Sequence, residues 1–437
     1  MPHAFLLQGG IKGVKLFPIH PDAVIRHADH HQAAFDRSCD RHFSGQSEKY
    51  HYDDNSNVSK RIDRKGSTFT YLYNNRDFLK SRSNANETIT YDYDTSGRRL
   101  WMQDSGGKTS YTYNPTTRWL TDVTFPDQRT IQYEYNDQGK RKKMTNPFGI
   151  VTVYDYDSRN RLENVGPSEN NPDASYQYKK NNQPLQTLLQ NGVTTTFDYA
   201  ALSASITQNK AGGALVNSYQ YNYDLHGNQK AKTENGTMHP FSYDKLNRID
   251  TSTQFNEVYS YDSRGNRLTL MSEKGIDLRG QTYQYDLDNR LTQIDTDNGT
   301  NVSYRYNGDG LLVERTEQGT TTRYYYDGSD IIAEGAVIGG IVTPKASYIQ
   351  GNQLIARVDE NGSKAYYVHN GHGDVVALLD GSGNKLNEYD YDIWGNPSTT
   401  QETIAQPFRY SGELWDETTG LQYLRARWYD PSMGAIY

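Results

Sequence analysis

Cysteine is nearly missing from this sequence: Cys39 is the single one among 437 residues, so no intramolecular disulfide can form. That leaves the compartment open, because secreted proteins without disulfides are common. Long apolar runs are missing too, and no stretch approaches the roughly 18 apolar residues of a membrane-spanning helix. The N-terminal MPHAFLLQGGIKGVK lacks the basic, apolar and small-residue order of a secretory signal. The chain either does not use that route or is a piece of a longer export substrate. There is no surplus of positive charge. The 46 basic residues face 53 acidic ones, net -7, with arginine and aspartate interspersed. This does not suggest nucleic-acid binding by bulk charge. Helical periodicity is almost absent. So are the Walker loop, HExxH and the nucleophile elbow, and no motif asks for a cofactor.

Hydrophobic residues are sparse as well. At 34% of the chain they would be compatible with disorder. What is present reverses that reading: 37 tyrosines, against 12 phenylalanines and 5 tryptophans. Disordered chains are poor in aromatics. Here the tyrosine ring must supply most of the buried apolar surface, and each buried ring brings a hydroxyl that needs a partner.

The tyrosines are periodic. The unit is aromatic–x–Tyr, usually Asp or Asn next, a short polar turn, then Arg-Leu or similar: YDYDTSGRRL, YEYNDQGKR, YDYDSRNRL, YQYDLDNRL. The second aromatic falls at Tyr52, Tyr73, Tyr93, Tyr113, Tyr135, Tyr156 and onward to Tyr326, with a mean step of about 21 residues, and again at Tyr391 and Tyr410. In a strand, residues i and i+2 share a face, so each YxY places two rings side by side. The Asp/Asn-Gly stretch that follows has turn chemistry. Twenty-one residues hold two strands of about 6–7 residues and two turns. Antiparallel hairpins stacked edge to edge satisfy this count. No unit can bury its aromatic face alone, so the array is stable only as a stack. The residues leave a flat ribbon, a solenoid and a closed shell all open.

Three segments are expected. Residues 1–45 break the pattern and hold six of the eleven histidines, an irregular His-rich leader. His27, His30, His31, Cys39 and His42 fit no zinc spacing, so no metal site is assigned. Residues 46–365 are the β array, and 366–437 form a closing unit. His226, His239, His369 and His372 read as turn residues of repeats.

The end of the chain, PFRYSGELWDETTGLQYLRARWYDPSMGAIY, resembles the core motif of the Rhs/YD-repeat family. Tyr410 and Gly412 match its opening, Thr419, Gly420 and Leu421 its turn, Tyr423 and Arg425 to Pro431 its centre, and Gly434 its close. The family's Arg-Phe after that glycine is Ala435-Ile436 here. The resemblance covers about residues 46–437. It implies an all-β fold in which tandem β-hairpin YD repeats form a spiral strip or partly closed hollow shell. It implies a structural, non-enzymatic shell of a polymorphic-toxin or wall-associated protein, secreted or cell-wall associated as part of a longer protein. The implied partner is a tethered C-terminal toxin domain, whose payload residues are not in this sequence. The family's self-cleavage core places catalytic aspartates here, and Asp430 and Asp416 are the matching or neighbouring carboxylates. A pair of carboxylates sharing a proton can act as acid and base. Without the family's downstream segment, self-cleavage is not expected, and Asp430-Pro431 reads as a strand-capping turn. A binding module for surface carbohydrate or cell wall is the alternative, if the aromatic pairs face outward.

Overall fold

The computed structural model describes residues 38–43, 46–246, 248–253, 257–261, 267–271, 282–296, 299–432 and 435–436. Of the leader's histidines and cysteine considered above, His27, His30 and His31 lie outside these residues, as does Gly434; for Cys39 and His42 only the backbone, in strand Ser38–Phe43, is described. No α-helix occurs among the described residues. Twenty-three strands, from Ser38–Phe43 to Arg267–Met271, form one antiparallel sheet in which each strand pairs with its sequence neighbours. Twelve more, from Thr282–Tyr285 to Pro397–Glu402, form a second, and four short ones, Leu414–Asp416 to Ala435–Ile436, a third.

Strand pairing runs across both expected boundaries. The first strand begins at Ser38, inside the segment read as irregular, because SCDRHF extends the strand pairing backwards against Gln46–Tyr52. Residue 366 falls inside the second sheet, and the break in pairing comes after Glu402. His239 and His369 also sit in strands, not turns.

The repeat motif is explained residue by residue. The Asp or Asn after YxY closes its own turn: Asp94 Oδ1 accepts from the N–H groups of Ser96 (2.8 Å) and Arg98 (3.0 Å), and Asp157 and Asp244 do the same two and four residues on, as does Asp380 after the apolar strand Val375–Leu379. The arginine four positions on returns to that carboxylate, Nε to Oδ2, at 2.7 Å in Asp94–Arg98, Asp157–Arg161 and Asp244–Arg248. Its guanidinium then lies over the next unit's second tyrosine, Arg98 over Tyr113 at 4.5 Å and Arg161 over Tyr178 at 4.6 Å. That tyrosine's hydroxyl donates to a carbonyl 14–16 residues back: Tyr113 to Arg99, Tyr156 to Arg141, Tyr306 to Leu291, Tyr326 to Leu312, Tyr391 to Val375. At Tyr113 and Tyr178 a unit is thus tied to the one before it by a ring, a cation and a hydroxyl. Tyr326→Phe keeps the ring and removes one buried bond of 2.7 Å. It is expected to cost about 1 kcal/mol in urea unfolding, and no measurable loss would remove the hydroxyl from this account.

The same motif bends the strip. Pairing register slips just before the second tyrosine in most units, for example at Glu134/Tyr135, Asp155/Tyr156, Arg305/Tyr306 and Asp390/Tyr391. The extra residue lies in the following strand, as Lys142 does opposite Glu134 and Tyr135. The YxY rings therefore stay on one face, and a bulge per unit curves the sheet in one sense.

Contacts distant in sequence define the path. Arg82 pairs with Asp288 (2.6 Å), Gly308 N–H donates to Asp104 (2.7 Å), Asn146 donates to Ser347 (2.8 Å), Gln208 donates to the His369 carbonyl (2.8 Å), and Gly371 N–H donates to Tyr221 (3.0 Å). Both partners advance along the chain together. A fold-back would make one advance as the other retreats, so the strip is a spiral. The separation falls from 206 residues at Arg82 to 150 at Tyr221, so the later part of the winding is tighter. Windings approach closely: a Cβ on Gly308 would stand 2.7 Å from Ile89 and 2.9 Å from Met102.

The second sheet is covered on both faces. Tyr325 meets Phe125 and Phe148, in turns that join strands of the first sheet, while its neighbours Tyr324 and Tyr326 belong to the cluster that includes Leu414, Leu421, Tyr423 and Trp428 of the C-terminal sheet. Tyr366 and Val368 likewise pack toward the first sheet and Tyr367 toward the C-terminal one.

Candidate functional site

The C-terminal sheet is the part that departs from the repeat, and both singled-out carboxylates lie in it. It is seated on the second sheet by rings and by charge. Trp428, 1% exposed, packs on Tyr304 (centroids 4.5 Å) and Tyr423 (5.2 Å), and its Nε1 donates to the Tyr306 hydroxyl at 2.8 Å. The Tyr423 hydroxyl accepts from Leu312 N–H at 2.9 Å.

Asp416 ends strand Leu414–Asp416 with its side chain fully enclosed. Arg315 reaches it with two nitrogens, Nε to Oδ2 at 2.7 Å and Nη2 to Oδ1 at 2.8 Å, and Tyr304 donates at 2.6 Å. The N–H groups of Thr418 and Thr419 complete the shell, and Arg315 also pairs with Glu317 (2.8 Å). Burial, and after it the charge of Asp416, pushes up the Tyr304 phenol; for Arg315 burial opposes the charged form, but the pairing with Asp416 outweighs it and the guanidinium is raised. Asp416 is thus a carboxylate clasped by Arg315 through two parallel bonds, the arrangement of an anchor.

Asp430 sits two strands away, in Trp428–Asp430, with Leu421–Tyr423 between. Two strand spacings put the backbones about 10 Å apart. Its Oδ1 accepts from the N–H (2.9 Å) and hydroxyl (2.5 Å) of Ser432, closing the turn over Pro431. The two aspartates are therefore turned to different partners. Arg425, a motif residue, pairs with Glu413 (3.1 Å) and Asp330 (3.2 Å). Sequence reasoning did not single out Arg315 or Tyr304, which lie about 100 residues upstream in ordinary repeats. Arg315 stands two residues after a unit's Leu312-Val313, where other units carry polar residues too, so no local signal marks it.

The HNGHGD hairpin is a second fastening. Buried Asp374 accepts from Asn370 Nδ2 (2.7 Å) and Ser411 N–H (2.8 Å), and lies 2.7 Å from His372 Nδ1. The His372 ring packs on Tyr410 at 4.9 Å. Burial opposes charge on both members, but the pairing outweighs it: the histidine is raised and the aspartate lowered.

His369 behaves differently. It is buried, and burial pulls its imidazole from 6.5 to about 4, with Asp374 opposing only in part. In the unfolded chain it protonates near pH 6.5. Between those values the unfolded state binds a proton that the folded state refuses, so stability falls as pH drops from about 6.5 towards 4. Relative to pH 7, unfolding at pH 4.5 is expected to lose about 2–3 kcal/mol more in the parent chain than in His369→Gln. Equal pH slopes in the two proteins would contradict this.

No group of His, Cys, Asp and Glu suited to a metal ion occurs among the described residues. No described helix is long and apolar enough to cross a membrane.

Comparison with known proteins agrees with this geometry. The family model described as teneurin YD-shell matches residues 193–436. The chain belongs to the teneurin YD-shell family. This YD-shell strip is 28% identical over 381 residues to the tRNA3(Ser)-specific nuclease WapA of Bacillus spizizenii, across 80% of this chain and 15% of that protein. It is 23% identical over 236 residues to the double-stranded DNA deaminase toxin A of Burkholderia cenocepacia, across 49% of this chain and 14% of that one. The YD-shell chain therefore spans about a seventh of these relatives. Among solved structures, TcdB2-TccC3-TEV superposes with a TM-score of 0.75 at 16% identity, over 90% of this chain and 26% of that one. The Photorhabdus luminescens Tc holotoxin pore carrying TccC3-D651A gives 0.61 at 15% identity, over 90% and 28%. These likenesses concern the fold: large antiparallel YD sheets that spiral without closing into a barrel.

Proposed function

We propose that this YD strip is the structural shell segment of a secreted or wall-associated toxin protein, holding and presenting a toxin domain tethered C-terminally. The observation that carries the reading is the seat of the C-terminal sheet. The strip winds in a tightening spiral, and the sheet is bolted by Arg315–Asp416 to the face turned away from the first winding. Polypeptide continuing past Ile436 would start from that inner side. The names of the relatives, a nuclease and a deaminase toxin, support a payload of that kind. Catalysis then belongs to the payload, and Asp416 and Asp430 serve as anchor and turn.

The test is protease protection. A protease-sensitive reporter domain fused after Tyr437 should be cleaved at least tenfold more slowly than the free reporter. Equal rates would sink the encapsulating reading. Cell-wall or glycan binding needs exposed ring platforms. Tyr91, Tyr133, Tyr154, Tyr176, Tyr219 and Tyr221 are all buried against other units, so these positions offer none.

A further inference from the structure

We infer that Arg357 and Tyr367 form a receptor for a single carboxylate on the face of the second sheet that carries the C-terminal sheet. Arg357 lies in strand Leu354–Asp359 directly opposite Tyr348, and pairs on its other side with Ala365. Tyr367, two residues beyond Ala365, shares that face. Only the small side chain of Ala365 stands directly opposite the arginine on that strand. Phe408 closes the recess from above, edge-on to Tyr348 (4.8 Å) and Tyr367 (6.4 Å).

Two donors in this recess have no acceptor among the described residues. The Arg357 Nε is enclosed and without a hydrogen bond, and so is the hydroxyl of Tyr367, a residue 2% exposed. Other arginines of the sheet are paired, Arg305 and Arg323 with Glu314, and Arg315 with Asp416 and Glu317. The nearby buried carboxylate, Glu334, is committed elsewhere, to the Tyr348 hydroxyl (2.9 Å) and Lys345 (3.4 Å). Leaving enclosed donors unsatisfied is costly, and a ligand that satisfies both recovers that cost.

The chemistry of the recess selects the ligand. A guanidinium edge presents planar, forked donors, which match a carboxylate. Tyr367 can add a third bond to the same oxygen pair. Phosphate offers oxygens too, but its second negative charge would face the Glu334 carboxylate. A monoanion is therefore favoured. The carboxylate can come from an acidic side chain of polypeptide lying on this face or from a free small acid.

The test uses the intact 437-residue chain, following the Arg Nε–H resonances by NMR during titration with sodium acetate and, separately, with N-acetyl-Gly-Glu-Gly-amide at constant ionic strength. The Arg357 resonance should shift saturably while that of Arg315 stays still. Tyr367→Phe, which preserves the packed ring, should weaken binding about tenfold. Arg357→Lys should remove the shifting resonance and leave the Arg315 one unchanged. Saturation by acetate alone would assign a free acid, and by the peptide as well a polypeptide side chain; both support the receptor. Absence of a saturable shift with either probe, or an Arg357 guanidinium found bonded to Glu334, would overturn it. None of these readouts depends on a tethered payload, so the receptor and the shell reading fail separately.

Discussion

Arg315→Ala is expected to destabilise the fold by about 3–5 kcal/mol and to free the C-terminal sheet from its seat. The alanine leaves Asp416 enclosed, with Tyr304 and two backbone N–H groups but no cation. It also strips Glu317 of the same arginine, so two carboxylates remain at one site. Burying one unpaired charge is already unfavourable, and a second like charge beside it adds repulsion. Urea unfolding measures the loss. Limited proteolysis locates it: new cleavage should appear between Thr403 and Glu413, the stretch that joins the second sheet to strand Leu414–Asp416. The double change Arg315→Met with Asp416→Leu removes both charges, and should lose far less than Arg315→Ala alone. A single mutant within about 1 kcal/mol of the parent, with an unchanged digestion pattern, would show that the pair does not hold the sheet.

How far the sequence reveals such a seat depends on the distance over which its causes act. The YxYD unit is a local device. Asp94 closes its own turn, Arg98 returns to Asp94, and Tyr113 reaches back to Arg99. All three lie within one repeat length, so the spacing of tyrosines carried the strands, their order and the antiparallel pairing. The bulge before the second tyrosine was not legible. It is expressed as an extra residue in the next strand, at positions such as Lys142 that look like ordinary polar strand residues. Without the bulges the curvature was undetermined, and a ribbon, a solenoid and a shell stayed equivalent on the residues alone.

Contacts between windings were hidden for a different reason. Arg82 and Asp288 are 206 residues apart, and each belongs to a common repeat position. Nothing in either unit marks it as facing the other, because the separation shrinks along the spiral instead of keeping step with the repeat. The same holds for the site. Asp416 was noticed for its place near a motif, but its meaning comes from Arg315 and Tyr304, which look like any other repeat arginine and tyrosine. The strand Ser38–Phe43 lies inside the leader, where histidines and a cysteine carry no YxY pattern to announce it.

Trp428→Ala should cost about 3–5 kcal/mol, as removal of a fully buried indole does elsewhere. Here the ring fills the gap between Tyr304 and Tyr423, and its N–H feeds the Tyr306 hydroxyl, which in turn donates to Leu291 at 2.6 Å. Truncation therefore opens a cavity under the C-terminal sheet and leaves one end of that relay without its donor. Trp428→Phe separates the two effects. It keeps most of the packing and removes only the N–H, so a loss of about 1–2 kcal/mol is expected. If the phenylalanine variant lost as much as the alanine one, the hydrogen bond and not the ring would dominate. Combining Trp428→Ala with Arg315→Ala tests the geometry itself. Both side chains act on one seat and share Tyr304 as a neighbour. Once either is gone and the sheet has lifted, the other has little left to hold. The double mutant should thus lose clearly less than the two single losses added together, by more than about 1 kcal/mol. Full additivity would mean that ring and ion pair stabilise separate structures, and that the C-terminal sheet is not a single docked body.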